Sequence, residues 1–453
     1  MNIKLFLVVI AILGGLCLWI GKISSKNIKT NDDYFLMGRK LSVIPLCLTF
    51  FATQLGGGTL LGAAQEAYQK GWIVLFYPLG VALGFFALGM GFGSKLKNLN
   101  ISTTAEIFEK IYKSRIQRYI ASIFSIISLF FVLVAQGIAA KKFFISMNFQ
   151  SPLIFVIFWT ILILYTVMGG LEAVVNTDVL QTLFMILILG LTFFSINLGN
   201  TEIVNNFSIQ NIFVSDVPWI TWLLIPFLFM LIEQDMGQRC FAAKNNKIVT
   251  FATIGAGILL LISSSIAIYF GVMAKKLGLT ISENSSILVE SVKLLTTPTI
   301  TTLFMCAIFM AIISTADSIL CSISSNVSYD FLISKNISSK KQVTISKAVT
   351  LFFGLASISF VFIFNDVVTM LMFGYQLTIN ILFVSIFMAL ISKNPSRLGA
   401  YISMIAGAIS FIFIKFIRVP ISEDILTVGL SFLGYFIGKK MDKKRVALNE
   451  IED

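Results

Sequence analysis

Stretches of about twenty apolar residues recur from one end of this chain to the other, and no other feature limits its fold as strongly. The first, IKLFLVVIAILGGLCLWIG, runs from Ile3 to Gly21. About 20 such residues in a helix cross the ~30 Å hydrocarbon layer of a membrane. Within that layer a lone segment satisfies its own backbone only as a helix. Thirteen spans are expected, at 3–21, 43–68, 72–94, 117–140, 151–169, 175–198, 217–237, 249–274, 297–325, 347–365, 367–391, 398–414 and 422–438. A mean hydropathy of +0.91 and 43 phenylalanines agree. The first run is too long for the apolar part of a secretory signal, and no A-x-A-type cleavage site follows it. The expected fold is therefore all-α and integral to the membrane.

The net charge of +12 follows from the topology. With the N-terminus outside, the inside segments hold 25 Lys and Arg and the outside segments hold 9. Basic residues collect in cytoplasmic loops, so we expect a multi-pass protein of the cell (inner) membrane with its N-terminus outside and its C-terminus in the cytoplasm. The lipid bilayer, not nucleic acid, is the expected partner of this basic chain. The absence of histidine excludes imidazole metal sites, proton relays and Ser–His nucleophiles. The five cysteines form no C-x-x-C pair, and most fall in apolar spans as small hydrophobes.

No polar stretch is long enough for a soluble catalytic domain. The longest, 22–40, 95–116, 199–216, 275–296 and 326–346, are each about twenty residues, enough for a short surface helix. ISTTAEIFEKIYKSRIQRYI from Ile101 is expected to form one at the inner face, capped by Thr103 or Thr104; SENSSILVESVKLL from Ser282 can form one outside.

Two spans look interrupted. The second contains FFATQLGGGTLLG, with glycines at 56–58, each costing about 1 kcal/mol against Ala in a helix interior. The seventh contains Pro226 and then IEQDMGQR, which places Glu233 and Asp235 deep in the bilayer. Broken helices are tolerated where the freed backbone lines a protected cavity, as in many secondary transporters. The two breaks lie five spans apart, a spacing that suits five helices followed by an inverted copy. The glycines also suit close helix packing.

A third feature is MAIISTADSILCSISS, Met310 to Ser325. On a helix Ala311, Ser314, Thr315, Ser318 and Ser322 share one face. Hydroxyls beside a carboxylate, Asp317, are hard oxygen ligands suited to Na⁺ and too weakly charged for a Ca²⁺ cage. Backbone carbonyls from an unwound stretch near Ala52 to Gly58 could complete such a site. Ser and Thr also bond back to carbonyls one turn earlier or join helices. Asp178, in VVNTDVLQTLF, is a second intramembrane acid, or an interfacial N-cap.

Together, DYFLMGR within 32–42, GGLEAVVNTDVLQ at 169–181, GQRCFAAK at 237–244 and ISTADSILCSISS at 313–325 resemble the sodium:solute symporter family. The resemblance covers nearly the whole chain. It implies a LeuT-type 5+5 inverted-repeat core with one extra N-terminal helix and two extra C-terminal helices. The corresponding regions are 1–40 for the extra helix and its loop, 41–200 and 201–395 for the repeats, and 396–453 for the C-terminal helices and short tail. It implies a sodium site at Ala52, Leu55, Ala311, Ser314 and Thr315. A second sodium at Asp178, Asp317 and Ser318 is implied by the two-sodium members. The expected solute residues are Gln54, Gly56, Gly57, Thr59, Glu233, Gln234 and Gln376.

The stretch ATQLGGGTLLGAAQEAY is similar to choline transporters, but Gln54 and Glu233 stand where that branch has tryptophans. A cation–π cage for a quaternary ammonium is therefore not expected. Glu233 also stands where sugar-transporting relatives have an asparagine, and a carboxylate there favours an amino acid or another amine-bearing solute. The chain is expected to be no enzyme, and to work as a monomer with Na⁺ and a small solute. A transporter-derived sensor or channel, sodium-independent uniport, and proton coupling through Glu233 or Asp178 are the alternatives.

Overall fold

The computed structural model describes residues 2–149, 151–199, 219–279, 286–332, 337–414 and 422–452. The regular structure described is helical, with one isolated bridge between Leu41 and Ala243. The first half comprises α1 (Ile3–Ser24), α2 (Asn31–Leu36), α3 (Val43–Gln54), α4 (Ala63–Lys70), α5 (Phe76–Ala87), α6 (Gly93–Asn98), α7 (Glu106–Tyr112), α8 (Arg115–Ser146) and α9 (Pro152–Gly199). The second comprises α10 (Trp219–Ile232), α11 (Gln234–Ala242), α12 (Asn246–Lys276), α13 (Ile287–Leu295), α14 (Pro298–Val327), α15 (Ser339–Val361), α16 (Val367–Thr378), α17 (Val384–Ile391), α18 (Arg397–Phe413) and α19 (Glu423–Glu452).

Starts follow local chemistry. Ser114, Asn245 and Thr297 each accept the backbone N–H three residues on, opening α8, α12 and α14. Pro298 takes the first position of α14, where its missing N–H costs nothing.

Among the described residues eight helical stretches are long and apolar enough to cross a membrane, or nine if the bent pair α10 and α11 is one span; this is consistent with thirteen crossings, with different boundaries. Two expected spans, 151–169 and 175–198, form the single 48-residue α9. At about 1.5 Å per residue it is long enough for two crossings. It leaves helical geometry at Gly170 (φ 54°, ψ −143°). A side chain there would strike the Tyr34 carbonyl, so glycine is needed both for the turn and for the approach of α2. The tenth span starts earlier than expected, at Ser339, and the last continues to Glu452. The short helix expected from Ile101 is α7, which starts later, at Glu106; Ala105 and not Thr103 or Thr104 holds the N-cap position, though Thr103 Oγ1 accepts the Glu106 N–H at 3.3 Å. The outer counterpart is α13, while positions 282–285 of that expectation and nearly all of loop 199–216 lie outside the described residues.

Connections alternate between two faces. On one, Arg39 donates to Ile101, Lys97 to Phe241, Asn246 to Asn98, and Arg118 to Tyr329 and Asp330. On the other, Tyr68 donates to Leu279, Lys275 to Gln69 and Lys141 to Val361. This alternation agrees with the expected weave. At the centre lies α14, packed against α3, α8 and α9 and buried from Phe304 to Asn326. Its hydroxyl stripe therefore faces protein.

Candidate cation and solute site

The first break lies between α3 and α4. Leu55 leaves helical geometry (φ −87°, ψ 57°), and a wider π-type turn over Gly58–Gly62 leads into α4. A Cβ on Gly56 would stand 2.5 Å from Thr315 Oγ1 and 2.9 Å from Gln136 Oε1. The Gly57 N–H donates to Gln136 Oε1 at 2.9 Å. The glycines thus both break the helix and let it touch α8 and α14. The second break is at Glu233, whose extended backbone (φ −63°, ψ 138°) separates α10 from α11, bent by 45°.

Four of the expected sodium ligands converge. Ser314 Oγ lies 3.1 Å from both the Ala52 and Ala311 carbonyl oxygens. Thr315 Oγ1 lies 3.4 Å from the first and 3.1 Å from the second. Leu55 follows at the break itself. In this arrangement both hydroxyls donate hydrogen bonds to these carbonyls; oxygens about 2.3–2.6 Å from a Ca²⁺-sized cation, a size Na⁺ shares, lie about 3.3–3.7 Å apart along an octahedral edge, so a shift of a few tenths of an ångström would seat one. The set is neutral, which suits a monovalent ion. Among the described residues no group of three or more His, Cys, Asp or Glu could hold a metal. Back-bonding also occurs on α14: Ser322 Oγ donates to the Ser318 carbonyl and Ser324 Oγ to that of Leu320.

Of the residues expected around a second sodium, Ser318 and Asp178 lie beside a guanidinium. Arg239 is wholly buried. Its Nη2 lies 2.6 Å from Ser318 Oγ and 3.7 Å from Asp178 Oδ2, and its Nε donates to Thr49 Oγ1 at 3.0 Å. Thr49 donates onward to Asp178 at 2.5 Å. Asp178 is no N-cap, because the helix resumes at Leu171 and places it two turns inside. Asp317 accepts a hydrogen bond from Tyr165. The rigid, permanently charged fork of arginine suits such a buried carboxylate cluster.

A cavity lies between the breaks. Gln54, Gly56, Gly58 and Thr59 line it from the first break, Glu233 and Asp235 from the second, with Tyr77, Gln136, Thr315 and Tyr375 around them. Gln54 Nε2 donates to Glu233 Oε2 at 3.5 Å. Gly57, Gln234 and Gln376, also expected here, do not line it; Gly57 packs against Gln136 and Ala139. Gln234 points away from the extended Glu233 and accepts the Thr104 N–H at 2.7 Å; Gln376 turns outward on α16 and donates to Asp424 at 3.0 Å. The cavity adjoins a second through Gly58, Tyr77 and Leu371, and that one adjoins a third, of about 500 Å³, through Glu66 and Val368. This path leads to the face of Lys70, Lys142 and Asp366.

The opposite, basic face is tied shut. Asp330 accepts from Arg118, Thr103 and Ser122 at 2.8, 2.8 and 2.7 Å, and Asp32 accepts from Tyr329 at 2.8 Å. On α7, hydrogen bonding to Arg118 holds the Glu109 carboxyl below its usual range, whereas burial pushes Glu106 up.

The four sequence motifs also meet in space. Gln238 donates to the Phe35 carbonyl at 2.7 Å and accepts from Ser322 at 2.8 Å, and Tyr34 abuts Gly170. The model of the sodium:solute symporter family matches residues 34–407. The chain belongs to the sodium:solute symporter family. It is 27% identical to a sodium/glucose cotransporter of Vibrio parahaemolyticus over 41% of this chain and 34% of that one. It is 27% identical to the sodium/proline symporter of Escherichia coli (strain K12) over 75% and 73%. The chain spans 34 to 46% of the length of the first curated relatives it matches. A solved Na⁺-coupled sialic acid symporter, in a substrate-bound outward-open state, superposes with a TM-score of 0.78 over 96% of each chain at 20% identity. The fold of this family member is thus the LeuT-type inverted repeat. These relatives are transporters by name, not enzymes.

Several site residues escape the sequence reading. Tyr77 and Tyr375 are hidden among many aromatics. Gln136 carries a signal, being the lone uncharged polar side chain in FFVLVAQGIAA. Arg239 sits so near the end of its span that it reads as an interfacial charge.

Proposed function

We propose that this chain is a sodium-coupled secondary symporter that carries a small amine-bearing solute inward by alternating access. One Na⁺ binds per cycle, at Ala52, Leu55, Ala311, Ser314 and Thr315. The observation that carries this reading is the meeting of the Ser314 and Thr315 hydroxyls with the Ala52 carbonyl at a helix break. Thr315 belongs to the ion cluster and also lines the cavity, so Na⁺ ordering the break also shapes the solute site. Coupling is then the differential affinity of Na⁺ for the state with the site assembled. Arg239 supplies a resident positive charge where a second Na⁺ would sit, which supports a single ion. The basic face is taken as cytoplasmic, making this an outward-facing arrangement with its inner side sealed.

Proteoliposome uptake driven by an imposed Na⁺ gradient, with K⁺ as control, tests the reading. Na⁺-dependent thermal stabilisation of the purified chain is the companion measurement. Uptake and melting indifferent to Na⁺ would overturn it.

A further inference from the structure

We infer that the solute is a small organic cation with N–H donors, a primary amine or guanidinium, that carries no carboxylate. This rests on the transport reading above and narrows it.

The cavity is acidic. Glu233 and Asp235 both line it, and no Lys or Arg does. Both carboxylate oxygens of Asp235 are buried and accept no hydrogen bond from an N–H or hydroxyl of the described residues; the group they meet is the Glu233 carboxyl, which can share a proton with them. Arg239 acts on Asp235 through its charge but gives these oxygens no hydrogen bond: its Nη1 donates to the Asp235 backbone carbonyl at 3.2 Å, and its Nη2 is directed to Ser318. Asp178, Asp317, Glu233 and Asp235 are four buried carboxyl groups within electrostatic reach of one buried guanidinium, and even with one proton shared by Glu233 and Asp235 that pair keeps a negative charge at the cavity. One Na⁺ offsets part of the excess. A neutral or anionic solute would leave the rest uncompensated inside the membrane, where such charge is costly. A cation removes it.

The opposite end of a zwitterion finds hydroxyl and amide donors, among them Tyr77 and Tyr375, but no cation. Broken-helix sites commonly hold a solute carboxylate on free N–H groups at the break. Here the Gly57 N–H is already given to Gln136, and a carboxylate would face two others. A quaternary ammonium is also a poor fit, because it has no N–H to give Asp235, and an unfilled buried acceptor costs about 1–3 kcal/mol.

The test uses the purified full-length chain, with melting temperature read against probe concentration in Na⁺ and in K⁺. The probes are agmatine and putrescine, with arginine, choline, proline and glucose as comparisons. Arginine is agmatine plus a carboxylate, so that pair isolates the group in question. Agmatine or putrescine should stabilise in Na⁺ with an apparent affinity at least tenfold tighter than arginine or choline. Glu233→Gln and Asp235→Asn should each weaken that affinity at least tenfold; Glu172→Gln, on the basic face, should not change it. Tighter binding of arginine, choline, proline or glucose than of both amines overturns the inference, as does no shift with either amine. A Na⁺-dependent shift with a sugar would sink the inference and leave sodium coupling standing. An amine shift indifferent to Na⁺ would do the reverse.

Discussion

Arg239 Nη2 lies 2.6 Å from Ser318 Oγ, one helical turn beyond the Ser314 hydroxyl that faces the Ala52 carbonyl. The same face of α14 thus presents neutral oxygens, which we propose hold a mobile cation, and, a turn later, an oxygen already bonded to a fixed one. In the proposed cycle sodium leaves with the solute, whereas Arg239 stays beside Asp178, 3.7 Å away.

Replacing Arg239 should therefore damage stability before it touches coupling. Breaking a buried ion pair by removing one partner costs about 3–5 kcal/mol. Arg239→Gln should lower the melting temperature strongly, and adding Asp178→Asn should recover much of the loss. Paired melting curves of the single and double variants check this; an Arg239→Gln protein as stable as the parent would contradict the pairing.

The neutral cluster should respond in the opposite way. Ser314→Ala and Thr315→Ala each remove one oxygen while keeping a helix former. A loss of about 1 kcal/mol raises the sodium concentration for half-maximal uptake about fivefold, with solute affinity partly restored at high Na⁺. Unchanged sodium dependence in both variants, at normal expression, would mean these hydroxyls only pack helices.

Gly56→Ala tests the break. The added methyl would stand 2.5 Å from Thr315 Oγ1, so the break and α14 must separate. Sodium-dependent stabilisation should disappear. Gly190→Ala, with nothing within 4 Å of its Cβ, should be silent in the same assay.

Sidedness is open to labelling. In a background with Cys47 replaced, single cysteines at Lys141 or Lys275 should react with an impermeant reagent from outside intact cells. Cysteines at Lys97 or Lys340 should react only after permeabilisation. The opposite pattern would invert the topology drawn from the basic residues.

Local signals survive because they depend on neighbours in the chain. Apolar run length marks the spans, the three glycines and the Glu233 segment mark the breaks, and the i, i+3, i+4 spacing of Ala311, Ser314 and Thr315 places them on one face. None of these needs a partner from elsewhere. Who meets whom was decided by the fold. Thr49 reaches Asp178 across 129 residues and Thr53 reaches Ser318 across 265. Gln234 and Gln376 carry the same chemistry as Gln54 and Gln136, yet the first pair turns to Thr104 and Asp424 while the second lines the cavity. Periodicity says on which face of a helix a side chain stands. Which neighbour that face meets is set by the crossing of helices far apart in sequence, and it is this that made Arg239 a buried cation and not an interfacial one.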